Sequence, residues 1–223
     1  MHYSIKDVEN LTGIKAHTLR IWEQRYNFLV PHRTHTNIRF YDAKQVKKLL
    51  NIALLLQNGF QVSIFTKLTD EQIAEYLLNI VDEKTNINFI YQARINCLLE
   101  ATLEFSELKL ESELNECIRE FGFEQAVINI VAPFMEKIGF LWATGDVNVA
   151  QEHFVSNLIR RKIITAIDSL PPVNSSDALL LILFLPEGEL HELGLLFTKY
   201  LIKKRGTRVL YLGQNLPYED LTL

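Results

Sequence analysis

Three groups of side chains in this 223-residue sequence have the types and spacing to do chemistry. The first is Glu189-Leu190-His191-Glu192-Leu193-Gly194. A carboxylate two residues before an imidazole suits metal ligation, because it can fix the tautomer of the ligating ring and raise its basicity. Gly194 would allow close backbone approach. Taken alone, a loop histidine near a helix start is an equally simple account. The second group is Trp142, nine further residues, then Glu152-His153. A short helical hairpin could bring ring, carboxylate and imidazole onto one surface, although a core tryptophan beside an exposed Glu-His pair is the simpler account of these residues alone. The third group is basic and lies near the N-terminus. A recognition helix must set polar side chains on base edges and cations on phosphates while its other face packs on a neighbouring helix. In residues 15–26, Lys15, His17 and Thr18 stand at the helix start, where bases are read, and Arg20, Arg25 and Tyr26 can reach the backbone. Leu19, Ile21 and Trp22 supply the apolar face. Arg33, Arg39 and Tyr41 form a second basic-aromatic group suited to a wing, with Arg39 and Tyr41 on one face of a strand and Phe40 on the other.

The elements that must position these groups follow from capping and periodicity. Ser4 precedes Ile5, Val8 and Leu11, a capped first helix ended by Gly13, and a second helix begins near Lys15. Residues 31–37 cannot be helical throughout, and Ile38 to Tyr41 reads as a short strand. Asp42 caps a third helix from Ala43 to Gln57. Beyond residue 69 the pattern predicts helices over about 70–81, 86–105, 108–121, 124–139 and 147–169, an antiparallel bundle. Residues 171–176, Pro-Pro-Val-Asn-Ser-Ser, form a linker. The period then changes. Ala178 to Leu185 is an unbroken apolar run suited to a buried parallel strand, Glu192–Lys204 a helix, and Arg208–Leu212 a second strand. That βαβ unit opens a doubly wound sheet, in which ligands bind at the carboxyl ends of the strands, where His191 stands. A further helix opens at Leu216-Pro217. Two strands do not make a stable open sheet, so the third domain is expected to be truncated at Leu223.

The length allows two small domains or one large one, and the composition is that of an ordinary globular protein. Apolar residues make up 48% and charged residues 22%. Residues 1–60 hold nine Lys/Arg against four Asp/Glu, whereas the remainder holds fourteen against twenty-three. A basic head on an acidic body suits a protein whose head alone approaches phosphates. The polar N-terminus shows no signal peptide, and no stretch reads as a spanning helix. No membrane partner and a cytoplasmic location are expected. Cys97 and Cys117 lack CxxC spacing and read as buried reduced thiols.

The segment YSIKDVENLTGIKAHTLRIWEQRY followed by NIRFYDAKQVKKL resembles the N-terminal domain of the MerR family of regulators. The resemblance implies a winged helix-turn-helix that binds duplex DNA as a dimer on inverted repeats. The order of helical bundle, Trp-x9-Glu-His, linker and Glu-x-His-x-x-Gly further resembles a cobalamin-binding module, known from methionine synthase and from the light-responsive MerR-type repressors of the CarH/LitR group. With the head included, the likeness covers the entire chain. It implies that His191 is the lower axial ligand of cobalt and Glu189 its supporting partner. Trp142, Glu152 and His153 would cover the upper face of adenosylcobalamin or another cobalamin. The methyltransferase version of the motif has Asp where this chain has Glu189. Some photoreceptors of the group carry a histidine directly after the tryptophan; here Ala143 stands there, so that route to a bis-histidine product is closed.

The expected protein is therefore mainly α, with a MerR-type winged helix-turn-helix over 1–68, a four-helix-type bundle over 69–170 and the start of a Rossmann-like domain over 177–223. Its expected function is that of a non-enzymatic transcriptional repressor, controlled by adenosylcobalamin and light and assembling as a dimer or tetramer on DNA. The competing expectation is a MerR-type regulator whose body binds a protein instead of cobalamin. A corrinoid methyltransferase or mutase is disfavoured, since no catalytic domain is visible and a DNA-binding head is.

Overall fold

Ser4 and Asp7 close the first helical turn from both sides. Ser4 Oγ accepts from the Asp7 N–H at 3.2 Å, and Asp7 Oδ2 accepts from the Ser4 N–H at 2.6 Å. This box starts α1 (Ile5–Thr12) in the computed structural model, which describes residues 2–26, 29–69, 72–73, 76, 87–173 and 179–221. Gly13 ends the helix in the left-handed region at φ 74°. In α2 (Ala16–Arg25) Lys15 offers no side-chain cap. Glu9 of α1 substitutes, its Oε2 accepting the Ala16 N–H at 3.0 Å. Leu19 and Trp22, three apart, are buried. Ile21 is 44% exposed and leaves the expected core face, because it sits about 100° from Trp22 on the helix wheel.

β1 (His32–Arg33) and β2 (Arg39–Phe40) form an antiparallel hairpin with Arg33 opposite Arg39. Tyr41 then exchanges both backbone hydrogen bonds with Tyr3 at 2.8 Å. Asp42 and Gln45 make a second capping box that starts α3 (Ala43–Gln57), with the predicted boundaries. Tyr41 and Val46, both fully buried, occupy the positions of a hydrophobic staple around that cap. A short helix, α4 (Val62–Phe65), follows. The expected helix over 70–81 falls mostly outside the described residues, as do linker positions 174–176 and the strand start at 178.

Four long helices come next: α5 (Ile87–Leu103), α6 (Glu107–Phe121), α7 (Phe123–Thr144) and α8 (Val149–Ser169). α5 packs against α3, α6 and α7. α7 runs through Gly139, the expected end, and stops at Gly145 with φ 83°. Its segment Val127–Val131 is π-helical. Pro133 stands two residues beyond it; a proline lacks the N–H for the ladder and clashes with the carbonyl four residues back, here that of Asn129 within the wider turn, which accommodates both effects. Contrary to the sequence expectation, α7 is long and apolar enough by composition to cross a membrane. Its Ala126, Ile130, Phe134, Ile138 and Leu141 are instead buried in this fold, as the core helix of a bundle requires. Cys117 is buried, whereas Cys97 is exposed and departs from the expected pair of buried thiols.

Contacts divide the chain into two compact units, Met1–Glu152 and His153–Leu223. The second contains β3 (Leu180–Pro186), α9 (Leu193–Lys204) and β4 (Arg208–Leu216). β3 and β4 pair in parallel, Leu180 opposite Arg208, with α9 packed on both: the expected βαβ unit. β4 extends four residues beyond the expected Leu212, and the helix expected after Pro217 is a 3-10 turn, Tyr218–Leu221. The chain is mainly helical.

Candidate functional site

In the head, α2 presents Lys15, His17, Arg20 and Arg25 on its exposed side, with Thr18 half-buried. Lys15 Nζ lies 3.0 Å from Glu9 Oε1, and Thr18 Oγ1 lies 3.4 Å from His17 Nε2. The hairpin is clamped onto this helix by Glu23. Its Oε1 accepts from Arg33 Nη2 at 2.8 Å and its Oε2 from Arg39 Nε at 2.7 Å. Arg33 also donates to Asn37 Oδ1 at 2.9 Å. The Arg39 guanidinium, more than that of Arg33, holds the Glu23 carboxyl below the ordinary glutamate range. Hairpin and α2 are thus joined through Glu23 into one predominantly basic surface, on which Glu9 answers Lys15. Tyr41 does not join that surface. It is fully buried, its hydroxyl has no hydrogen-bond partner among the described residues, and burial raises its pKa. The strand ends at Phe40, and the pairing with Tyr3 turns residue 41 inward.

In the body, Trp142 stands in the last turn of α7, 52% exposed. Glu152 lies in the first turn of α8 and His153 follows it, exposed. Between the helices, Asn148 and Gln151 cap α8 reciprocally, at 3.0 and 2.9 Å. Asp146 is buried in the same connection and accepts from Thr144 Oγ1 and, at 3.0 Å, from Asn10 Nδ2 of α1. One of the head's helices is thereby bonded to the loop four residues beyond Trp142.

Glu189 and His191 are brought together after the carboxyl end of β3. Glu189 Oε1 lies 2.6 Å from His191 Nδ1 and accepts the His191 backbone N–H at 2.8 Å. These two bonds, the backbone one first, hold the Glu189 carboxyl below its ordinary range. With a carboxylate as its partner Nδ1 carries the proton, which leaves the Nε2 lone pair on a side chain 96% exposed. Asn215, at φ 57° near the end of β4, stitches the loop from beneath: its Oδ1 accepts the Gly188 N–H at 2.8 Å and its N–H donates to Glu189 O at 3.2 Å. Gly194 lies in the first turn of α9, exposed, and a Cβ built there would meet nothing within 4 Å. Neither its backbone nor its packing requires a glycine. Among the described residues no three His, Cys, Asp or Glu side chains are grouped to hold a bare ion. A single presented imidazole fits a metal that arrives with its other ligands already in place, as cobalt does in a corrin.

Residues 3–72 match the family model for MerR HTH regulatory proteins, and residues 95–166 match that for the B12 binding domain. The head is a MerR-type helix-turn-helix, and the body carries a B12-binding domain. The MerR-type segment contains every basic candidate from Lys15 to Arg39. The B12-binding segment contains Trp142, Glu152 and His153 and ends before the Glu189–Gly194 loop. Across 98% of its length the chain is 28% identical to the HTH-type transcriptional repressor CarH of Myxococcus xanthus, covering 73% of that protein. It is 29% identical over 97% of its length to the repressor CarA of the same organism, covering 70% of it. The head alone, 61 residues, is 36% identical to the regulator MlrA of Escherichia coli strain K12, covering 25% of it.

Three residues escaped the sequence reading, Glu23, Asp146 and Asn215, and Glu192 was read within its motif without a role. Each is an ordinary polar residue whose partner is distant in the sequence, so no local spacing distinguishes it.

Proposed function

We propose that this chain is a DNA-binding transcriptional repressor whose grip on DNA is set by adenosylcobalamin held at His191. The observation that carries the reading is the Glu189–His191 pair, a tautomer-fixed imidazole presented to solvent after a strand's carboxyl end. The MerR-type and B12-binding segments and the two repressor relatives support it.

The head binds duplex DNA through α2 and the hairpin. Lys15, His17 and Thr18 meet base edges, while Arg20, Arg25, Arg33 and Arg39 meet phosphates. The operator is an inverted repeat and the working species a dimer or tetramer, in the cytoplasm. In the body, His191 Nε2 would hold the cobalt, Glu189 would steady the ring, and Gly194 would leave room for the corrin. Trp142 gives a stacking surface for the adenosyl group, and Glu152 and His153 offer it hydrogen bonds. When bound, the cofactor supplies a cobalt–carbon bond that light can break. Cofactor binding that favours one assembly would shift the population toward it, and losing that differential binding would remove the bias. The protein performs no catalysis on DNA or on the cofactor. The three-part division at 1–68, 69–170 and 177–223 belongs to this proposal.

Titration with adenosylcobalamin in the dark, followed by absorbance, tests the reading. The expected result is a red protein whose spectrum shows histidine ligation, lost in His191→Ala. A colourless protein after desalting contradicts it and favours a body that serves a protein partner.

A further inference from the structure

The Glu189–His191 pair explains how the imidazole is oriented on its own loop. Asn215 ties the Gly188–Glu189 end of that loop to β4, and a buried carboxylate at its other end ties it to α8 as well. Glu192, next to His191, is only 8% exposed. It is the flanking residue of α9, in helical conformation, yet its side chain makes no capping bond to the helix. It reaches two other elements instead. Oε1 accepts from Arg160 Nε on α8, and Oε2 accepts from Tyr211 Oη on β4 at 2.9 Å. Lys199 Nζ lies 4.9 Å above the Tyr211 ring and backs it with a cation. Burial, with the Glu192 carboxylate second, raises the Tyr211 pKa, so its hydroxyl stays a donor.

The position of Arg160 gives this network its consequence. Arg160 follows His153 by seven residues, two turns of α8, so both stand on the same helix face. Glu192 thus ties the loop that presents the His191 imidazole to the helix that carries His153. A buried carboxylate is costly to desolvate unless it is paired, and here both oxygens of Glu192 are paired.

We propose that Glu192 is a positioning residue for the His191 ligand. Through Arg160 and Tyr211 it sets where the imidazole stands relative to α8. The proposal rests on the reading of His191 as a cobalt ligand, and its test separates the two. The variants are Glu192→Gln, Arg160→Met and the double substitution, with His191→Ala as reference; Arg160 is half exposed, so its variant retains the fold. Hydrogen exchange on the cobalamin-free chain reads the clamp itself. Amides of Gly188, Glu189 and His191 should exchange faster in each single variant, and the double variant should add little beyond Glu192→Gln, because both changes break the Glu192–Arg160 ion pair. Hydroxocobalamin titration then reads the ligand's placement. Each variant should bind about tenfold more weakly, as expected for loss of one partner of a half-buried ion pair, and show a reduced histidine-ligation band. Wild-type-like exchange, or faster exchange with unchanged affinity and band, overturns the positioning role. A wild-type spectrum indistinguishable from that of His191→Ala overturns the cobalamin reading and this role with it.

Discussion

At His191 one ring nitrogen is committed to Glu189 and the other faces solvent. That asymmetry makes Gly194 informative, since nothing in the protein's own packing forbids a side chain there. Glycine inside a helix costs roughly 1 kcal/mol relative to alanine. Gly194→Ala should therefore raise the melting temperature of the cobalamin-free chain while weakening cobalamin binding. Stabilisation with unchanged binding would show that no ligand approaches this backbone. In the head, Glu23 makes the wing pH-sensitive. Its folded pKa is depressed, chiefly by Arg39, so its contribution is full above the ordinary value of 4.5 and is lost as pH falls through the folded value. Glu23→Gln should melt below wild type near neutral pH, and the difference should vanish under acid conditions; a gap independent of pH would contradict the assignment. Arg39→Ala should weaken binding to every duplex and lower the salt slope by about one, measured by titration at several salt concentrations. An unchanged slope would leave Arg39 as a partner of Glu23 only.

The helices were legible where a short-range rule decides them. Ser4 with Asp7, and Asp42 with Gln45, are local signals, and α1 and α3 begin where those signals put them. Legibility failed where the deciding partner is remote. Gly139 looked like a helix end, but α7 continues because its apolar face goes on burying Leu141. Ile21 and Tyr41 exchanged sides for related reasons, one set by helix phase and the other by pairing with Tyr3. For the site, Glu189 and His191 could be read two residues apart, while Glu192, Arg160 and Tyr211 could not, because three elements must fold before they meet. The loop after α7 follows the same logic. Asp146 is buried and accepts from Thr144 and from Asn10 of α1. Asp146→Ala should destabilise the fold by about 0.5–1.5 kcal/mol, the net worth of the bonds from the half-buried Asn10 amide and the exposed Thr144 hydroxyl, as read by urea denaturation. A loss below about 0.5 kcal/mol would mean that water replaces the carboxylate without penalty.

For the whole molecule, charge and domain order assign output and input to different segments. The basic excess is confined to the first 60 residues, which lie within the MerR-type segment apart from the first two. The B12-binding segment and the His191 loop belong to the acidic remainder. Affinity for DNA should accordingly depend on salt through the head and on cobalamin through the body. The most direct test is a gel-shift titration with a duplex selected from a random pool for binding to the adenosylcobalamin-loaded protein in the dark, run in the dark without and with adenosylcobalamin and again after green illumination. The account predicts tight binding only with adenosylcobalamin in the dark, lost on illumination and absent in His191→Ala. Equal DNA affinity under all three conditions would contradict it.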